Sequence, residues 1–88
     1  MQSAAPVSDN ALQLLVLERR DDSRNMARYY VLSIEPTLFG ESALIREWGR
    51  IGSSGRRLGN PYTTQAAAAE ALEAWLARKL GRGYRIRA

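Results

Sequence analysis

Residues 63–81 read TTQAAAAEALEAWLARKLG, and nearly every residue from Gln65 onward is a strong helix former. Either Thr63 or Thr64 can cap the start, because a threonine hydroxyl accepts a hydrogen bond from a free amide of the first turn. Ala68, Leu72, Trp75, Leu76 and Leu80 recur at spacings of three, four and one and so form one apolar stripe. Gly81 is placed to stop the helix. A single striped helix has to cover something apolar, and the rest of the chain offers only strands. The stretch therefore predicts an α+β domain in which one helix lies across an antiparallel sheet of about four strands, with Trp75 in the core.

The strands are read outward from there. Residues 11–20 (ALQLLVLERR) are apolar and extended, residues 21–25 (DDSRN) are turn chemistry, and residues 27–35 (ARYYVLSIE) are rich in aromatic and branched side chains. Pro36 closes that second strand, and residues 37–42 (TLFGES) form a loop expected to tuck Leu38 and Phe39 into the core. Residues 44–52 (LIREWGRIG) make a third strand, Ser53-Ser54-Gly55 a turn, and residues 56–62 a short fourth strand, ragged because of Gly59 and Pro61. Residues 1–10 (MQSAAPVSDN) read as a loose polar arm without the basic start and apolar stretch of a signal peptide, leaving residues 11–88 as one domain.

Composition narrows the chemistry. The 88 residues include no cysteine and no histidine, which removes disulfides, thiol nucleophiles and imidazole bases and leaves no expected zinc site. The nine acidic residues are scattered, with no pair at a spacing that suggests acid–base work. The expectation is a non-enzymatic protein without cofactor or metal. No run is long and apolar enough to span a membrane, so the expected compartment is the cytoplasm. The net charge is +4, and twelve of the thirteen basic residues are arginine, with Lys79 the exception. Arginine's planar fork suits phosphate, yet the arginine bias of a GC-rich genome produces the same composition. Position has to decide.

The third strand bears the main functional signal. Side chains alternate across a strand, so Leu44, Arg46, Trp48 and Arg50 share one face. A ring between guanidinium groups can stack on a base or sugar while its neighbours take phosphates, and Gly49 would leave room for close approach. Equally, the tryptophan can belong to the core while the arginines snorkel past it. The functional reading places Trp48 in solvent, on the side of the sheet that the helix leaves bare. Arg56 and Arg57, after the tight turn, extend the same patch or form a solvated turn. Arg78, Lys79, Arg82, Arg85 and Arg87 crowd the end of the chain with Tyr84, complementing the helix dipole or forming a flexible basic arm.

The chain resembles the WGR domain, whose naming triplet stands here as Trp48-Gly49-Arg50. The likeness extends to an ordered set: residues 25–30 (NMARYY), 36–40 (PTLFG) and 46–52 (REWGRIG), the alanine-rich helix, and a basic closing segment at 79–84 (KLGRGY), in the order of bacterial stand-alone members. It covers roughly residues 12–87. The resemblance implies a DNA-contacting module: in poly(ADP-ribose) polymerases this domain helps to hold DNA ends. By that likeness Trp48 is the residue that packs against the sugar at a strand end, Arg50 is the triplet arginine, and Arg28 touches the backbone. This sequence departs from those enzymes in having no catalytic, zinc-finger or BRCT segment, so neither a relay role nor ADP-ribosylation is implied. The resulting expectation is DNA binding at ends, nicks or backbone with little sequence preference, through Trp48, Arg50, Arg28, Arg46, Gly49, Arg56 and Arg57. The alternative is a protein–protein adaptor or self-association module using the Trp48/Arg50 surface, and RNA is a third partner class.

Overall fold

The computed structural model describes residues 14–87, and the polar arm expected at 1–10 lies outside them. Five strands and one helix follow in the order β1 (Leu14–Asp21), β2 (Met26–Pro36), β3 (Ser42–Arg50), β4 (Arg56–Tyr62), α1 (Gln65–Gly81) and β5 (Arg85–Ile86). The sheet is antiparallel with strand order β4-β3-β2-β1-β5. The β1–β2 connection is a short 3-10 turn, Asp22–Arg24, closed by the Asp21 carboxylate, which accepts from the Ser23 amide at 3.2 Å and its hydroxyl at 2.7 Å. Asn25 then takes a left-handed conformation (φ 52°), which asparagine tolerates better than most side chains.

The β2–β3 tip corrects one expectation. Thr37 Oγ1 accepts from the amides of Phe39 and Glu41, each at 3.2 Å, and Gly40 supplies a positive φ of 80°. The turn satisfies itself locally and projects its two apolar residues outward. Leu38 and Phe39 are 98% and 87% exposed rather than tucked into the core.

Thr64, not Thr63, caps α1: its backbone is extended and its hydroxyl accepts from the Ala67 amide at 3.1 Å. Ala68 and Leu72 are buried, Trp75 and Leu76 half-buried and Leu80 exposed, so the stripe is shorter than its spacing suggests. The core joins Ala68 and Leu72 to Leu17, Tyr30, Leu32, Ile34 and Leu44, with Trp75 and Leu76 packed against it. The helix stop also differs. Gly81 is still helical, and it is Gly83 (φ 98°) that reverses the chain. Its amide donates to the Leu80 carbonyl at 3.1 Å and the Tyr84 amide to the Lys79 carbonyl at 3.1 Å, the paired bonds of a Schellman motif. The reversal delivers residues 85–86 to the edge of β1, where Leu17 faces Ile86 and Glu18 faces Arg85. The closing segment is therefore a fifth strand, not a flexible arm, and Arg87 anchors it to Glu18 at 2.7 Å.

The helix lies on the face opposite to the one expected. Leu44 and Trp48 both join the α1-facing core, and with them the whole alternating set Leu44, Arg46, Trp48 and Arg50. The start of β3 hides this choice from pattern reading. Leu44 and Ile45 point to opposite faces, yet both are buried, at 0% and 7% exposure. Among the described residues no helix is long and apolar enough to cross a membrane.

Candidate nucleic-acid interface

The site lies where the C-terminal half of α1 passes over the ends of β1, β2 and β3. Register places Leu17, Tyr30, Trp48 and Arg56 in one row across four strands, all on the helix side. Tyr30 is buried at the centre. The Trp48 ring stacks beside it at 5.8 Å and 15°, Trp75 from the helix at 6.4 Å and 22°, and Tyr84 meets it edge-on at 6.1 Å. Two of these rings come from neighbouring strands, one from the helix and one from the chain reversal at Gly83.

Cations interleave with the rings. The Arg46 guanidinium lies 4.0 Å from the Trp75 centroid and 5.5 Å from that of Trp48, and its Nη1 donates to the Tyr30 hydroxyl at 3.1 Å. Its Nε is buried with no acceptor among the described residues. The Lys79 Nζ sits 4.4 Å from the Tyr30 centroid, and Arg78 lies 4.4 Å from Trp75. Trp75, Arg78, Lys79 and Arg82 fall at i, i+3, i+4 and i+7, so one helix face carries a ring and three cations. From the sheet come Arg19 and Arg28, directly paired across β1 and β2.

Together these side chains line an open cleft of about 550 Å³. Six of its lining residues are cationic (Arg19, Arg28, Arg46, Arg78, Lys79, Arg82) and none is acidic. The ion pairs of the described residues all lie elsewhere: Arg20 and Arg87 with Glu18, Arg24 with Asp21, and Arg57 with Glu35 and Glu47. The C-terminal end of α1 offers a partial negative charge of about half a unit, which offsets only a fraction of six positive ones. Burial, followed by the guanidiniums of Arg82, Arg46 and Arg78, lowers the Lys79 ammonium from its ordinary value of 10.5. Such a cleft attracts polyanions, and its rings offer surfaces for planar or sugar groups.

The residues expected from sequence divide. Trp48, Arg28 and Arg46 meet in the cleft. Arg50 and Arg56 are exposed on the same side of the sheet without lining it; Arg50 pairs with Arg28 across β2–β3 and donates weakly to the Asn25 carbonyl at 3.4 Å. Gly49 does not open the face beside the Trp48 ring. It lies on the other side, where a β-carbon would come 2.9 Å from Gly55 Cα and 3.2 Å from the Tyr29 hydroxyl. Its smallness serves the returning turn. Arg57 also points to that other side and is held by two glutamates. Trp75 is not sealed in the core but half-buried at the cleft, and Arg19 and Tyr30 join it without having been singled out. The helical spacing of residues 75, 78, 79 and 82 is the sequence signal that would have found three of the cations.

A family model described as "WGR domain" matches residues 13–88. An uncharacterized protein, y4dW, of Sinorhizobium fredii (strain NBRC 101917 / NGR234) is 44% identical over 86 residues, covering 92% of this chain. The chain spans 42% of that relative's length. No solved structure matches it.

Proposed function

This chain belongs to the WGR domain family, and from that premise we propose that it binds DNA through the cleft between α1 and the sheet, favouring ends or nicks with little sequence preference. One observation carries the reading. Six cations without carboxylate partners among the described residues surround stacked aromatic rings in a single open cleft. Arg19, Arg28 and Arg50 stand side by side on β1, β2 and β3, and at about 4.8 Å per strand they make a line of charge roughly 10 Å long. A line leading out of a cleft suits a polyanion better than a small anion. Phosphate contacts carry no base information, and no asparagine or glutamine lines the cleft to read a base edge. Trp48 has a part of its ring open to the cleft, where it takes a sugar or base at a strand end. Arg46 holds that ring in place rather than contacting phosphate first.

The test is fluorescence anisotropy with blunt, nicked and overhanging duplexes of one sequence, each titrated at several salt concentrations. Binding that weakens steeply with salt, tighter on interrupted than on continuous DNA, is the expected result. Absence of a salt-dependent signal with all three duplexes refutes the reading.

A second reading, a protein contact, is favoured by a different observation: the exposed Leu38 and Phe39 at the β2–β3 tip, flanked by Glu35 and Glu41. Partners from a lysate that survive nuclease treatment and are lost on Leu38→Ser/Phe39→Ser replacement would support it.

A further inference from the structure

We propose that Lys79 forms a covalent imine with the open-chain aldehyde of an abasic deoxyribose, so that the cleft captures abasic DNA chemically as well as electrostatically; this rests on the DNA-binding reading above. Lys79 is the only lysine of the chain. The other five cations of the cleft are arginines, whose guanidinium groups stay protonated and are poor nucleophiles in water. One primary amine thus stands among groups that bind phosphate but do not react.

Its setting suits that chemistry. Nζ lies against the Tyr30 ring at 4.4 Å, with the Tyr84 and Trp75 centroids at 5.6 and 5.9 Å. No hydrogen bond or ion pair to a described residue restrains it. The charged groups around it are Arg46 from β3, Arg19 and Arg28 from β1 and β2, and Arg78 and Arg82 from its own helix, with the phenols of Tyr30 and Tyr84 beside them. No carboxylate of the described residues is among them to hold the ammonium form. Burial and the neighbouring guanidiniums accordingly raise the share of free amine at neutral pH. An abasic nucleotide has no base to stack or pair, so its sugar turns into a cleft at less expense than an intact nucleotide. Cations that hold the flanking phosphates leave C1′ within the ring-lined space where the amine lies.

The step balances without a further reactant. The Nζ lone pair adds to C1′, and the carbonyl oxygen takes up a proton. The carbinolamine then loses that hydroxyl as water, leaving a protonated C1′=N bond. Strand cleavage would be a separate step, loss of a C2′ proton from the imine with expulsion of the 3′ phosphate; without it the imine returns to aldehyde and amine by hydrolysis.

The experiment incubates the full chain with a duplex containing one abasic site and with sodium cyanoborohydride, which delivers hydride to the imine carbon and fixes the adduct as a secondary amine. Anisotropy on the same duplex is measured in parallel. The expected result is one covalent complex, with peptide mass spectrometry placing the modification on Lys79 and adduct yield per bound duplex falling to background in Lys79→Arg. The mass assignment is made on wild-type protein, so it stands even if the variant folds poorly. Binding without an adduct, or an adduct mapped to the amino terminus and undiminished in Lys79→Arg, overturns the proposal while leaving DNA binding intact. Absence of both binding and adduct overturns the two together.

Discussion

Replacing Arg28 and Arg82 together by glutamine separates cleft binding from general basicity. Both side chains are exposed and line the cleft, and neither takes part in an ion pair or side-chain hydrogen bond with a described residue, so the fold should change by no more than about 0.5 kcal/mol. The magnitude follows from counterion release. Each duplex phosphate neutralised adds about −0.9 to the slope of log affinity against log salt, so four contacts give about −3.6 and two give about −1.8. Raising salt from about 50 to about 200 mM then weakens wild-type binding roughly 150-fold and the double variant's only about 12-fold. The control is Arg57→Gln. Arg57 lies on the opposite side of the sheet, held by Glu35 at 3.2 Å and Glu47 at 2.9 Å, so its loss should leave the slope unchanged. Anisotropy with a nicked duplex across a salt series reads all three slopes. If the Arg57 variant flattens the slope as much as the double variant, or if the double variant keeps the wild-type slope, DNA does not lie in this cleft.

Gly55→Ala should destabilise the fold by about 1–3 kcal/mol in urea denaturation, because its β-carbon would run into the Trp48 carbonyl and the Tyr29 hydroxyl. An unchanged midpoint would mean that the turn closes some other way. Lys79 gives a pH signature. Its ammonium is held below 10.5 in the folded state, first by burial and then by Arg82, Arg46 and Arg78. Below that lowered value both states carry the proton and the penalty on folding is complete. Between it and 10.5 only the unfolded chain does, so this contribution to stability rises with pH and levels off above 10.5. The urea midpoint of wild type should gain on that of Lys79→Met as pH rises through this window, and a constant gap would contradict the assignment. At the hairpin tip, Leu38→Ser with Phe39→Ser should leave stability within about 0.5 kcal/mol by the same assay, since neither side chain is buried. A larger loss would show that the tip is packed in solution.

How far the sequence could be read depended on how local each signal was. Helix α1 and strands β1 to β4 announce themselves through periodicity, a capping threonine and turn residues, all within a few positions of one another. Strand β5 does not, because two residues become a strand only when Gly83 aims them at β1. The sheet face was misread for a similar reason: adjacent Leu44 and Ile45 are both buried, so β3 begins without contrast between inside and outside. Trp48, Arg46 and Arg28 were visible as an alternating row and a resemblance. Arg19 was not, since its nearness to Arg28 is a matter of β1–β2 register. Arg78, Lys79 and Arg82 sat in plain view, but cations at a helix C-terminus have an ordinary explanation in the helix dipole. Only the tertiary structure shows them facing more cations instead of carboxylates.

That absence of carboxylates is selective. The chain has nine acidic residues, and Glu18, Asp21, Glu35 and Glu47 pair with arginines on its other surfaces. Among the described residues none pairs with the six cations of the cleft. What holds those cations together is aromatic: Arg46 and Arg78 lie within 4.4 Å of the Trp75 centroid and Lys79 within 4.4 Å of that of Tyr30, contacts worth about 0.5–2 kcal/mol each. An ion pair would have neutralised each charge, whereas a ring stabilises it and leaves the field intact. The buried Arg46 Nε has no acceptor among the described residues. The rings thus hold the cations of the cleft in place while leaving its positive potential available to an anion. A site built for packing alone would have had no reason to keep its carboxylates away.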